Sequence, residues 1–377
     1  MATESNPFPV KGYLGPEWFC DRKTETVDLV RNLNNGVNTT LTSLRRMGKT
    51  GLLFHVQETL KRKKTMQGIY IDAYSLENLK EFTNAFASAI MKAFPENKPV
   101  GKKIMEWIKS LRPIISFDPI TGSPEVTMDF VQQQSYEHTL SGLFALLENQ
   151  SSKVVVIIDE FQQVSTFPEK NIEARLRTLI QPLKKTTFIF SGSDQHLLSE
   201  MFNNTKRPFF ASTQLMHLKP IKREIYVDFI SEKFAGGKRK INAAAVAFIL
   251  DFTRMHTFYT QTLCNRIYSS GIRDIKKETA EALAYQLLGE QEVIYFQYRN
   301  LLTTIQWNLL KAIAAEDAVY QPTSKDFINA HNLESASQVQ KTLQSLLAKE
   351  MIYRDQNENG SFYRVYDCFL SRWLALQ

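Results

Sequence analysis

The sequence predicts an α/β fold: a parallel sheet covered by helices on both faces, then a helical lid segment, then a C-terminal winged-helix domain. Three observations predict it. Short β-branched runs alternate with helical patterns through the first 220 residues, the signature of parallel strands joined by helical crossovers. Val154, Val155, Val156, Ile157 and Ile158 are apolar at every position, which suits a strand buried on both faces. After Pro220 the strand signals stop, and the chain closes on a helix–helix–helix–hairpin pattern.

The strand-like runs are "NTTLTSL" at 38–44, "GIYIDAY" at 68–74, "KVVVIIDEF" at 153–161, "TTFIFSGS" at 186–193 and "TQLMHLKPI" at 213–221. Helical patterns at 51–63, 79–94, 137–147 and 172–183 separate them. Residues 95–130 break the alternation. There "RPIISFDPITGSPEVTMDF" reads as two strands around an Asp-Pro and Gly-Ser-Pro turn, a hairpin insertion at about 112–130. In the tail, 301–315 is helical, and a second helix takes Thr323 as its N-cap. A third starts at Ser335 or Ser337, and the alternation around Asn357-Glu358-Asn359-Gly360 is a β-wing. The expected domains are 1–221 for the sheet, 222–296 for the helical lid and 297–377 for the winged helix.

The 377 residues are 43% apolar and 23% charged, ordinary globular values. Cys20, Cys264 and Cys368 sit far apart with no CxxC or Cys/His spacing, which excludes a disulfide framework and suits a reducing compartment. No apolar run of 18 or more residues and no apolar leader occurs, so the expectation is a soluble, cytoplasmic protein with no membrane partner. The formal charge is +7, unevenly spread. Residues 202–240 hold nine Lys/Arg against three Asp/Glu, whereas 299–377 hold eight of each. Such an excess reads first as a solvated basic face.

Chemistry concentrates at "SLRRMGKT", residues 43–50, between a strand and a helix. In that setting the backbone N–H groups of Ser43, Arg46, Met47, Gly48 and Gly51 can wrap a β-phosphate at the helix N-terminus. Lys49 would reach the β- and γ-phosphates, and Thr50 would offer its hydroxyl to Mg²⁺. Ser43 stands where the usual pattern has glycine, yet every group that acts through a side chain is kept. A second motif supports the first: Asp159 and Glu160 end the buried apolar strand, at the carboxyl edge where such sheets bind ligands. Asp159 would hold Mg²⁺ through water, and Glu160 would polarise the attacking water. Beyond the next strand, Ser191 and Ser193 are candidates for a contact to the γ-phosphate or that water, Ser193 ahead because it lies past the strand end. Small polar residues at strand ends also serve as plain turn formers.

Together "LTSLRRMGKTGLL", "VVVIIDEFQ", "SGSDQHLLSEMF" and "RPFFASTQLMHLKPI" resemble the archaeal-type ATPase family, within the STAND and AAA+-like P-loop NTPases. "NPFPVKGYLGPEWFCDRKTET" resembles that family's entry segment, placing Phe19, Arg22 and Glu25 in the motif that packs near adenine. "YRVYDCFLSRWL" resembles its ending after the wing. The resemblance implies ATP and Mg²⁺ as cofactors. Besides Ser43, two places depart from the family pattern. Ser212 aligns where relatives often carry arginine, leaving Arg207 and Lys206 as the nearby bases. Met255-His256-Thr257-Phe258-Tyr259 replaces a Gly-x-Pro-aromatic lid motif, so His256 reads as a packed helix-end residue.

These departures fall on the γ-phosphate side, so binding is expected more firmly than turnover. The expected function is an ATPase switch that binds Mg-ATP, hydrolyses it slowly and answers to a homo-oligomer or protein partner through the winged helix. Two alternatives stand: a nucleotide-dependent DNA-binding protein of the initiator or mobile-element kind, and a non-hydrolysing scaffold. No Asn/Thr-Lys-x-Asp guanine-reading motif occurs, which favours adenine. The candidate recognition helix carries only Lys341 and Lys349 as bases, so DNA contact through it is weakly supported.

Overall fold

The apolar runs of the first 220 residues pair into one parallel sheet. The computed structural model describes residues 6–96, 99–111, 113–128 and 133–377. They divide into two units, Gly12–Pro220 and a second made of Ile221–Gln377 with the residues up to Lys11.

In the first unit the order is α1 (Lys23–Asn34), β1 (Thr39–Thr42), α2 (Lys49–Lys63), β2 (Met66–Asp72), α3 (Leu79–Ala93), α4 (Pro99–Ser110), β3 (Ile114–Phe117), β4 (Pro124–Thr127), α5 (Gln133–Glu148), β5 (Lys153–Asp159), α6 (Ile172–Ile180), β6 (Thr186–Gly192), α7 (Gln195–Asn203) and β7 (Gln214–His217). The sheet runs β2-β5-β6-β1-β7, every pairing parallel. The all-apolar strand β5 is internal, and its side chains feed two cores. Val154, Val156 and Ile158 join Phe82, Phe86 and Phe188 on one face, while Val155 and Ile157 join Leu41, Leu52 and Val56 on the other. Burial on both faces explains why the run has no polar alternation.

Helix starts follow local chemistry. Asn78 caps α3, its side chain accepting from Glu81 N at 2.9 Å, and Asp194 caps α7 by accepting from Leu197 N at 2.9 Å. Helix α2 is different: Gly48 at its N-cap offers no side-chain acceptor. The insertion contains a hairpin with Ile114 opposite Thr127. It is tied to α3 by Val126 N donating to Ser88 Oγ at 2.8 Å and Met128 N to Asn84 Oδ1 at 3.2 Å. The ends of the expected insertion, Arg112, Asp129 and Phe130, lie outside the described residues.

The second unit holds α8 (Arg223–Gly236), β8 (Lys240–Ile241), α9 (Ala243–Phe252), α10 (Thr257–Ser269), β9 (Asp274–Ile275), α11 (Lys277–Glu290) and α12 (Glu292–Leu301). Then come α13 (Thr304–Glu316), α14 (Lys325–Ala330), α15 (Ala336–Ala348), β10 (Ile352–Asn357), β11 (Gly360–Val365) and α16 (Cys368–Leu374). Three details differ from the sequence expectation. Strands do not stop at Pro220, because β8 and β9 form a two-residue parallel pair, too short to leave any periodicity. Ser324, not Thr323, caps α14, while α15 is capped by Ser335, one of its two expected starts. The N-terminal residues up to Lys11 belong to this unit instead of the sheet domain. Phe8, 1% exposed, packs 5.1 Å from Phe234, and Asn6 donates to Asn265 O at 3.0 Å.

A single carboxylate ties the helical segment to the winged helix. Asp317, just past α13, takes Arg254 at 2.7 Å, Arg364 at 3.2 Å and Arg372 at 3.1 Å. Arg254 also donates to Val365 O at 3.2 Å and Ser371 Oγ at 2.7 Å. Arg254 and Met255 are both left-handed, at the point where the sequence replaces a glycine-bearing lid motif. A non-glycine residue there costs roughly 1–2 kcal/mol; the fork of hydrogen bonds from Arg254 offsets that strain. Burial opposes the charge of Asp317, yet the three guanidiniums hold its carboxyl below the ordinary value. Breaking a buried pair costs roughly 3–5 kcal/mol. Asp317 is 36% exposed, so solvent screening lowers the expected cost of Asp317→Ala to about 2 kcal/mol. The stabilisation is present in full above the unfolded carboxyl value of about 3.9 and is lost as pH falls through the lower folded value. Hydrogen exchange of the α9 and α13 amides checks this, and equal protection in the variant would refute it.

All three cysteines are buried and none is in a disulfide. Among the described residues, no helix is long and apolar enough to cross a membrane.

Candidate functional site

The carboxyl ends of β1, β2, β5 and β6 meet at one edge of the sheet, and the loop from β1 to α2 lies there. Arg46 (φ 61°) and Gly48 (φ 90°) both turn left-handed, giving the chain the concave bend of an anion nest. The 15-residue helix α2 starts with no side-chain acceptor at its N-cap and no acid in its first turn, which favours an anion at that end. Ser43 is not among the left-handed residues. Its buried hydroxyl donates to Leu44 O at 2.9 Å, so serine in place of glycine introduces no backbone strain. Met47 is 3% exposed and anchors the loop in the core.

Asp159 organises the polar side of the site. Its Oδ2 accepts from Thr50 Oγ1 at 2.8 Å and Tyr70 Oη at 3.2 Å. Its Oδ1 accepts from Ser191 Oγ and from Glu160 N at 3.1 Å. Glu160, itself left-handed, is equally engaged. Lys49 Nζ lies 3.4 Å from Oε1. Oε2 accepts from Gln162 Nε2 at 2.6 Å, Ser193 N at 3.1 Å and Ser193 Oγ at 2.9 Å. Burial raises the Glu160 carboxyl, but Lys49, Gln162 and Ser193 outweigh it and hold the group below its usual value. Gly192 leaves room for the Gln162 side chain. A Cβ at that position would collide with Gln162 Oε1 and sit 2.7 Å from Leu198 Cδ1.

Two participants escaped the sequence reading. Asp72 ends β2 directly opposite Asp159. Desolvation by the surrounding chain pushes its carboxyl up, and the charges of Asp159 and Glu160 add to the shift. Tyr70 is raised in the same way, by burial first and then by Asp159. The signal was present in the parallel endings "YID" and "IID", but only the register of two non-adjacent segments reveals it. Three carboxylates with one lysine leave an excess of negative charge. Among the described residues no group of three or more such ligands could hold a metal by itself, but Asp159 with the hard oxygen of Thr50 fits Mg²⁺, which takes one or two carboxylates and would keep its remaining positions for water and phosphate.

The entry segment also folds onto α2. The Phe19 ring stacks on His55 with centroids 4.6 Å apart, and a Cβ on Gly51 would meet it at 3.4 Å. Tyr13 Oη donates to Glu58 Oε2 at 2.7 Å and meets His55 Nδ1 at 2.9 Å. Burial is the main reason the His55 pKa is lowered. Arg22, only 3% exposed, donates to Met47 O at 3.2 Å, to Lys219 O at 2.6 Å and to Glu25 at 2.8 Å. It therefore braces the 43–50 loop from within the protein. The remaining candidates lie in other networks. Arg207 pairs with Glu173 at 2.8 Å, Ser212 Oγ donates to Phe209 O at 2.6 Å, and His256 packs 4.8 Å from Tyr259.

A parallel sheet whose strand β1 runs through a nest into an uncapped helix, with two carboxylates at the end of β5 beyond the intervening β6, defines the P-loop ATPase class. The model of an ATPase domain predominantly from Archaea matches residues 19–245, and the chain belongs to that family. A probable winged helix domain matches residues 293–376. In fold the chain is similar to the Walker-type ATPase of Pyrococcus abyssi (TM-score 0.66, 16% identity, 98% of this chain and 99% of that one). It is also similar to the Aeropyrum pernix ORC2 protein, solved in ADPNP and ADP complexes (TM-score 0.55, 14% identity, 99% and 98% covered). No curated protein matches the chain.

Proposed function

We propose that the protein is a slow, Mg-ATP-dependent conformational switch, with the winged helix as its interaction or gating module. The observation that carries this reading is the convergence of Lys49, Thr50, Asp159 and Glu160 through contacts of 2.8–3.4 Å beside the uncapped start of α2. Lys49 and the amides around Gly48 bind the polyphosphate; Thr50 and Asp159, with Asp72 beside them, hold Mg²⁺. The metal supplies charge neutralisation at the phosphates. Glu160 orients and deprotonates the attacking water, Ser193 positions Glu160, and Phe19 with His55 packs against adenine.

The occupancy of Glu160 supports the reading of slow turnover. Both oxygens of Glu160 are occupied, Oε1 by Lys49 and Oε2 by Gln162 and Ser193. A γ-phosphate that draws Lys49 away frees only one of them. Arg207, the base nearest Ser212 in the sequence reading, is held by Glu173, which supports a stimulating cation supplied by a partner or a second copy. Calorimetric titration of the full chain with ATP and GTP, with and without Mg²⁺, tests the proposal alongside phosphate release. ATP binding that strengthens with Mg²⁺, and release slower than about 1 s⁻¹, the low end of ordinary enzyme turnover, are expected. Absent ATP binding, or equal preference for GTP, would overturn it.

A further inference from the structure

Tertiary pairing brings together two basic segments that are far apart in sequence. Residues 233–241 carry four cations and no acid, and residues 272–277 carry three cations and one acid. Strands β8 and β9 join them in parallel, with Lys240 opposite Asp274 and Ile241 opposite Ile275. Lys240 N donates to Arg273 O at 2.7 Å. Ile275 is fully buried, which anchors the pair, while Lys238, Lys240, Arg273 and Lys276 are all exposed. Neighbouring cations are paired: Arg266 with Glu290, and Lys277 with Glu281 at 3.4 Å. Lys238, Lys240, Arg273 and Lys276 make no ion pair with any described residue. Four unpaired like charges at one end of a helical bundle repel one another, and a polyanion relieves that repulsion.

We propose that this β8–β9 end of the helical segment binds the phosphate backbone of duplex nucleic acid, without reading its sequence. The chemistry favours the duplex over a single strand. Single-strand sites need exposed rings on which bases stack, but residues 236–241 and 270–277 contain no aromatic residue. The ring beneath them, Tyr268, is 3% exposed, with the Arg239 guanidinium 3.5 Å from its centroid. Cations without rings or amide readers suit phosphate contacts, which position a protein but carry no sequence information. The winged helix is the poorer site, since α15 carries Lys341 as its single cation. This inference is independent of the nucleotide site.

The test is fluorescence anisotropy of a labelled random DNA duplex with the full chain across a salt series. Neutralising four phosphates gives a slope of log K against log salt of roughly −3.6, about a hundredfold loss between 50 and 200 mM. The variant K238Q/K240Q/R273Q/K276Q is expected to lose binding. Arg273→Gln alone, which spares the fold, should reduce the slope by about one. Lys341→Gln with Arg354→Gln in the winged helix should leave binding unchanged. No duplex binding at 50 mM salt, an unaltered slope in Arg273→Gln, loss through the winged-helix variant, tighter binding of single strands, or binding of anionic vesicles in place of DNA would each overturn the proposal.

Discussion

Lys49→Ala is expected to abolish ATP binding, the largest effect anticipated for any single substitution in the chain. The ammonium is 6% exposed and sits 3.4 Å from Glu160 at the first turn of α2. No other described lysine or arginine forms an ion pair with Glu160. Each charge-assisted hydrogen bond to a phosphate contributes roughly 1.5–3 kcal/mol. Losing contacts to both the β- and γ-phosphates therefore weakens binding by about 3–6 kcal/mol, or roughly 10²–10⁴ in Kd. The same change strips Glu160 of its neighbouring cation, so its carboxyl rises from its lowered value. Calorimetry with ATP, checked against an unchanged circular dichroism spectrum, reads the effect. Equal affinity in the variant would remove Lys49 from the phosphate site.

The second large effect is on turnover alone. Glu160→Gln keeps the shape of the side chain and one acceptor for Ser193 and Gln162, so ATP binding should persist. What is lost is the base, and removing a positioned general base costs typically 10²–10⁴ in rate. Single-turnover phosphate release measures it. Glu160 is held below the ordinary carboxylate value, so it is ionised throughout the neutral range. The wild-type rate should then stay flat there and fall only as pH drops through that lowered value. A variant that hydrolyses at the wild-type rate would transfer the base role to another group.

Much of this site was legible along the chain because its chemistry is local. The nest and helix start are one contiguous segment, 43–50, and the carboxylate pair ends one apolar strand. The wing around Gly360 follows from turn chemistry within a few residues. Other features depend on register. Asp72 acquires its role only because β2 lies beside β5 with Asp72 opposite Asp159. Gln162 matters because Gly192 leaves room for it. Arg22, read as a nucleotide contact, donates to the carbonyls of Met47 and Lys219. Residues 197 positions apart in sequence meet through that arginine, and no local pattern marks such a contact.

The sequence alone determined the parallel sheet, the strand-to-helix loop at 43–50 and the order of the three tail helices and wing, because hydrophobic periodicity, caps and strand-end carboxylates act over a few residues. Only the tertiary structure decided how Glu160 is clamped, that Asp317 gathers three arginines, and that two basic segments share one end of a bundle. Coulomb and hydrogen-bond energies depend on distances in space, and those exist only once distant segments have packed.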